Sequence, residues 1–155
     1  MQRSRVYNTR RSGEKIDNYA YGYVYSDSLK KYILPDSLPQ LKSVIYLDGI
    51  QGGAIVNSTT GDLLKWDRAL KNYSLLSKKT QQQMLSPQSS IDTSWRFVSL
   101  LGLKDYGYGI GIGKDNFGNF QWHGGALPGY RTTMSRYVDN DVIIVVLSNN
   151  ESKVL

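Results

Sequence analysis

The sequence predicts an α+β fold, an antiparallel sheet with flanking helices, and three patterns predict it. The last third reads as antiparallel sheet and opens with Tyr106 to Gly113, which alternate large residues and glycine with the period of a strand. It ends in Val142-Ile143-Ile144-Val145-Val146-Leu147, apolar at every position. Upstream, residues 60–71 repeat apolar side chains at helical spacing, and a capping serine and a stopping proline bracket a second helix over 78–85. Turn-forming clusters separate these segments, and neither a repeat nor a low-complexity tract interrupts them.

Residues 1–50 form an irregular, tyrosine-rich segment. Within it Tyr19, Tyr21, Tyr23 and Tyr25 alternate with Ala20, Gly22 and Val24, the period of a strand. Lys31-Tyr32-Ile33-Leu34 returns as its hairpin partner before Pro35 ends it. Leu47 to Gly53 reads as a flexible turn. Asn57-Ser58-Thr59-Thr60-Gly61-Asp62 then offers capping hydroxyls and an acid for a first helical turn. Leu63, Leu64, Trp66 and Leu70 give that helix one apolar face. Ser77 caps a second helix through Met84 and Leu85, which Pro87 stops.

Tyr106 to Gly113 reads as one strand, with large residues on one face and bare glycine on the other. A second layer or a ring is expected to pack flat on that glycine face. Asp115-Asn116-Phe117-Gly118 is turn chemistry, and Asn119 to Gly124 is the returning strand. Arg131–Val138 and Asp141–Leu147 follow, joined by a tight hairpin at Asp139-Asn140. The run Val142–Leu147 reads as a central strand covered on both faces.

Composition narrows the chemistry. The 155 residues suffice for one domain with its own core, and 40% apolar with 21% charged content fits a globular chain. No apolar run approaches the roughly 20 residues that cross a bilayer. The absence of cysteine excludes disulfides, thiolate metal sites and a cysteine nucleophile, without fixing a compartment. One histidine and the helical pair Asp62 and Asp67 have no matching ligand spacing, so neither a metal nor a cofactor is expected. The net charge of +6 is partly local: Arg3, Arg5, Arg10, Arg11 and Lys15 face one acid, Glu14. A basic nucleic-acid binder is therefore one reading. No regular aromatic interleaving, helix-turn-helix or zinc pattern supports it, so a solvated segment without a nucleic-acid partner is expected.

The chemistry concentrates in Phe120-Gln121-Trp122-His123-Gly124-Gly125-Ala126-Leu127-Pro128-Gly129-Tyr130. It holds the sole histidine of the chain and a glycine pair that lets another molecule approach bare backbone. Four segments in order carry a resemblance. They are Gly52-Gly53-Ala54-Ile55-Val56-Asn57-Ser58-Thr59-Thr60-Gly61-Asp62-Leu63, then Tyr106-Gly107-Tyr108-Gly109, then His123-Gly124-Gly125 with Pro128-Gly129-Tyr130, and finally Leu147-Ser148-Asn149. Together they resemble the C-terminal part of serine hydrolases related to class C β-lactamases, penicillin-binding proteins, esterases and D-Ala-D-Ala carboxypeptidases.

The resemblance implies a partial β-lactamase/transpeptidase-like fold, with residues 51–155 as the C-terminal portion of the domain. It implies acyl-enzyme hydrolysis of an amide or ester, with a small acyl, peptide or β-lactam-like substrate. His123 would take the position of the basic catalytic residue. Gly124 and Gly125 would keep the strand open to substrate, and Ala126 would offer an oxyanion-hole N–H. A bacterial cell envelope or periplasmic location follows from the same resemblance.

The family's serine lies in an SxxK motif at a buried helix start. Here Ser12-Gly13-Glu14-Lys15 and Ser28-Leu29-Lys30-Lys31 match the letters in polar surroundings, and no YxN occurs. The upstream half of the family is therefore expected to be missing, and this chain alone inactive. The alternative is a non-catalytic module of that fold that holds peptide or glycan. Without its upstream neighbour, the Val142–Leu147 edge is expected to pair with a second copy or with the N-terminal segment.

Overall fold

Capping and turn chemistry delimit the elements of the computed structural model, which describes residues 1–6, 13, 15–42, 53, 55–92, 94 and 96–151. In chain order they are β1 (Arg5–Val6), β2 (Tyr23–Ser26), β3 (Lys31–Ile33), a 3₁₀ turn (Pro35–Ser37), β4 (Val56–Asn57), α1 (Thr60–Lys71), α2 (Lys78–Leu85), β5 (Ser89–Ser90) and α3 (Arg96–Leu100). The remaining strands are β6 (Leu103–Tyr106), β7 (Gly111–Asp115), β8 (Gly118–Leu127), β9 (Tyr130–Tyr137), β10 (Val142–Ser148) and β11 (Asn150–Glu151). Both expected helices are present at the expected bounds. Thr59 Oγ1 accepts the Asp62 N–H at 3.2 Å to start α1, and Ser77 Oγ accepts the Thr80 N–H at 3.1 Å to start α2.

The chain divides into two units. The first comprises Met1–Asp62, Gly125–Thr132 and Leu147–Leu155. Its three-stranded sheet has the order β11-β2-β3, with β11 parallel to β2 and β3 antiparallel to it. Val24 and Ser26 are buried, whereas Tyr21, Tyr23 and Tyr25 face outward. The tyrosine alternation is thus that of a strand, but ladder pairing begins only at Tyr23, where Asn150 lies opposite. The buried Asp62 carboxylate accepts the Arg3 N–H at 2.8 Å and the Ser4 hydroxyl at 3.0 Å. These bonds tie the first residues to the start of α1.

The second unit comprises Leu63–Gly124 and Thr133–Val146. The six-stranded sheet has the order β10-β9-β8-β7-β6-β5. Leu103, Ile110 and Phe120 are its buried core. The expectation of one strand over Tyr106–Gly113 is corrected: β6 and β7 are two arms of a hairpin, with Tyr106 opposite Gly111. The glycines make the turn. Gly109 has φ +76°, the Gly107 N–H donates to the Ile110 carbonyl at 2.8 Å, and a Cβ on Gly107 would lie 2.4 Å from the Met84 carbonyl oxygen. The flat ring expected over a strand glycine does exist, since a Cβ on Gly113 would meet Phe120 Cζ at 2.5 Å.

A charge cluster joins α1 to the far end of this sheet. Arg136 donates to Asp67 at 2.7 Å and to Asp141 at 2.6 Å, and Lys71 also pairs with Asp141. Lys71, and next Arg136, hold the Asp141 carboxyl below its usual range. On the same sheet Tyr137 donates its hydroxyl to Asp115 at 2.8 Å, and that bond raises the phenol above its usual range.

The β10 strand departs from expectation. It is the terminal strand of its sheet rather than a central one, with Val142, Ile144 and Val146 at 46%, 48% and 43% exposure. Among the described residues the N-terminal segment pairs with Asn150 and Glu151, beyond the apolar run. A seven-residue edge without a charged side chain is a template for strand addition. The chain should therefore associate as its concentration rises, and Ile144→Lys should suppress this, as read by light scattering. Equal scattering by both proteins would show that this edge is not the contact.

Candidate functional site

The strand β8 owes its shape to side chains that alternate between its faces. Trp122 donates its indole N–H to Thr133 Oγ1 at 2.8 Å, and its ring lies over Gly124. A Cβ at Gly124 would be 2.4 Å from Trp122 Cζ2. His123, one residue on, is exposed, with its ring stacked beside that of Trp122 at a centroid distance of 6.4 Å. A Cβ at Gly125 would meet Thr132 Oγ1 at 2.5 Å, while Ala126 is exposed. Each glycine of the pair thus has a packing reason of its own inside the molecule. Neither of two recesses in the surface, one lined by Tyr23, Tyr32, Asn149 and Asn150 and the other by residues of α1 with Arg136, Asp141 and Ile143, includes His123.

The turn after Ala126 is built by contacts within the first unit. Gly129 has φ +84°, and a Cβ there would stand 2.6 Å from the Gly22 carbonyl carbon and 2.8 Å from the Tyr23 nitrogen. Reciprocally, a Cβ on Gly22 would lie 2.5 Å from the Tyr130 ring and 2.8 Å from the Gly129 carbonyl oxygen. Around this approach, the Gly129 N–H donates to Glu151 at 3.3 Å, and Arg131 pairs with the same carboxylate. Arg131 also donates to the Tyr130 carbonyl at 2.9 Å and to the Leu127 carbonyl at 3.3 Å. The Tyr130 hydroxyl donates to the Ala20 carbonyl at 2.9 Å, and the Asn149 amide to the Tyr21 carbonyl at 3.0 Å.

Arg131 and Glu151 are the residues that motif reading misses. The only signal for them is charge beside the Pro-Gly-Tyr and Leu-Ser-Asn segments, since they lie 20 residues apart in sequence.

The two SxxK matches fare differently. Ser12 lies outside the described residues. Ser28 is exposed in the turn between β2 and β3, with its hydroxyl 3.1 Å from that of Ser26, and Lys31 is an exposed β3 residue opposite Ser26. Of the first motif, Gly52 and Ala54 also lie outside the described residues, whereas Thr59 and Asp62 perform the capping already described. Among the described residues no group of three or more histidine, cysteine, aspartate or glutamate side chains could hold a metal. No helix there is long and apolar enough to cross a membrane.

A His-Gly-Gly strand with its histidine exposed, followed by a glycine-locked turn and two further sheet strands, in a chain with capped helices, defines a β-lactamase-type α+β fragment. The chain belongs to the Beta-lactamase family, whose model matches residues 2–154. It is 42% identical over 154 residues to Penicillin-binding protein 4* of Bacillus subtilis (strain 168), covering 97% of this chain and 32% of that protein. The fold is similar to the crystal structure of a penicillin binding protein from Bacillus halodurans, with a TM-score of 0.60 and 21% identity. That match covers 84% of this chain and 35% of the other. The chain thus spans about a third of the length of these relatives.

The Gly22–Gly129 approach generates a direct test. Gly129→Ala must place a Cβ on backbone atoms and hold alanine at positive φ, so it should cost about 2 kcal/mol or more. A surface control, Gly13→Ala, shares the positive φ, at +69°, but has open space around its Cβ, so it should cost less and the difference reports the backbone clash. Chemical denaturation of the two variants against the parent gives the comparison.

Proposed function

We propose that this chain supplies the substrate-binding strand of a serine hydrolase that cleaves an amide or ester through an acyl-enzyme, and that it lacks the attacking serine. The observation that carries the reading is the arrangement of β8. Trp122 turns its ring onto Gly124, while His123, Gly125 and Ala126 stay accessible along the same strand. In this reading the substrate lies as an extended segment along β8 at Gly124 and Gly125. His123 acts as the basic residue that meets the substrate carboxylate or the leaving group. The Ala126 N–H stabilises the oxyanion as the acyl carbonyl becomes tetrahedral. A β-lactam or a peptide fits this scheme.

Family membership supports the class of reaction, and the setting of Ser28 supports the missing nucleophile. A hydroxyl becomes nucleophilic when a positioned base takes its proton, and that base is usually tuned by burial. Ser28 and Lys31 are both solvated, and Ser28 sits in a β-turn rather than at a helix start.

Incubation of the chain with a fluorescent penicillin, followed by intact-mass measurement, should give no adduct. A stoichiometric adduct on Ser12 or Ser28 would overturn the missing nucleophile. Reversible retention of the penicillin without turnover by any longer form would favour the binding-module alternative.

A second test addresses His123. In a longer form of the protein that carries an acylatable serine, His123→Ala should lower kcat/KM by about a hundredfold, the scale of a lost acid–base group, with an unchanged Tm. A collapsed Tm with normal activity per folded molecule would make the histidine structural.

A further inference from the structure

One face of the three-stranded sheet is paved with tyrosine. Val24 and Ser26 of β2 point inward, so Tyr23 and Tyr25 share the opposite face. Tyr32 is the cross-strand partner of Tyr25, and Asn150 is the partner of Tyr23, which brings both onto that face. The Tyr25 and Tyr32 rings meet edge to face with centroids 5.4 Å apart. All three tyrosines are exposed, and Tyr23 and Tyr32 line a recess of about 280 Å³ with Asn149 and Asn150. None of these residues belongs to the strand discussed above, and the inference does not rest on the acyl-enzyme reading.

The chemistry of this face is specific. In a chain of net charge +6, the residues that line the recess carry no charge at all. The lining offers flat aromatic rings together with phenol and amide groups that both donate and accept hydrogen bonds. A core-forming face would instead be aliphatic, because burying phenols and amides without partners is unfavourable. An ionic ligand would find no counter-charge in the recess. A proline-rich peptide offers carbonyl acceptors but few donors, so the asparagine oxygens would lose their water without replacement. A sugar ring offers both halves of the match: a flat C–H face for tyrosine and a rim of hydroxyls that donate and accept. The recess is shallow and open to solvent, which suits one ring of a longer chain lying along the surface. We propose that this face binds an uncharged oligosaccharide, one residue seated between Tyr23 and Tyr32 against Asn150 and the next stacked toward Tyr25.

Titration of the chain with chitotetraose and with cellotetraose, followed by calorimetry and tyrosine fluorescence, tests this. At least one sugar should bind saturably at millimolar concentration. Tyr23→Ala and Tyr32→Ala should each weaken it about tenfold, the loss expected of a central aromatic anchor, whereas Tyr23→Phe should keep most of the affinity. Asn150→Ala provides a milder variant that leaves the aromatic packing intact and should also weaken binding. Circular dichroism checks that each variant folds. Absence of binding to both sugars would overturn the proposal. So would affinity unmoved by the tyrosine and asparagine changes, or tighter binding of a polyproline peptide.

Discussion

The first unit depends on two glycines that meet where no side chain fits. Gly22 and Gly129 approach so closely that a Cβ on either would fall within 3 Å of the other's backbone. Such an approach gains little by itself. Its effect is to let polar groups converge: Arg131 with Glu151, the Tyr130 hydroxyl with Ala20, and the Asn149 amide with Tyr21. Charge-assisted bonds are strong only when their geometry is fixed, and the bare backbone fixes it here. Substitution at either glycine would therefore disturb the entire set, and with it the turn that follows Ala126.

Glycine serves a second purpose within the sheet of the other unit. Gly113 lies under the Phe120 ring, and Gly124 under the Trp122 ring. In both cases an aromatic ring on one residue occupies the volume that a neighbouring side chain would have filled, which keeps the layer dense. The pair Gly124-Gly125 consequently has two explanations at once. The indole and Thr132 need the space, and an extended ligand would need the access. Internal packing alone accounts for the missing Cβ atoms, so the functional weight falls on the exposure of His123 and Ala126.

The sequence makes the helices legible because their signals are local. Thr59 with Asp62 and Ser77 with Thr80 sit within one turn, so a cap can be read without knowing the fold. The tyrosine hairpin is legible for the same reason, although its pairing starts later than the alternation suggests. Tyr106–Gly113 is not. An alternating large–glycine pattern suits a strand face and a glycine turn equally well, and the positive φ of Gly109 with the Gly107 N–H bonded to the Ile110 carbonyl decides for the turn. Around the candidate site, His123 and the glycines stand out as a motif. Arg131 and Glu151 do not, because the constraint that joins them spans 20 residues and is set by tertiary structure.

The apolar run Val142–Leu147 shows how a sequence pattern can ask for more than a structure provides. Alternation would have sufficed for an edge strand with one wet face. Six consecutive apolar residues instead specify two dry faces and paired edges. At the end of its sheet the strand leaves Val142, Ile144 and Val146 nearly half exposed, an arrangement for which its composition is unsuited. The chain spans about a third of its relatives, and a strand patterned for burial is what a segment of a larger sheet would carry. Both ends of β10 are flanked by paired acids. At one end Asp141 is neutralised by Lys71 and Arg136, and beyond the other Glu151 is neutralised by Arg131. Charges that would repel an incoming strand are thus already paired within the chain, which leaves the apolar edge itself as the feature that governs what this segment meets next.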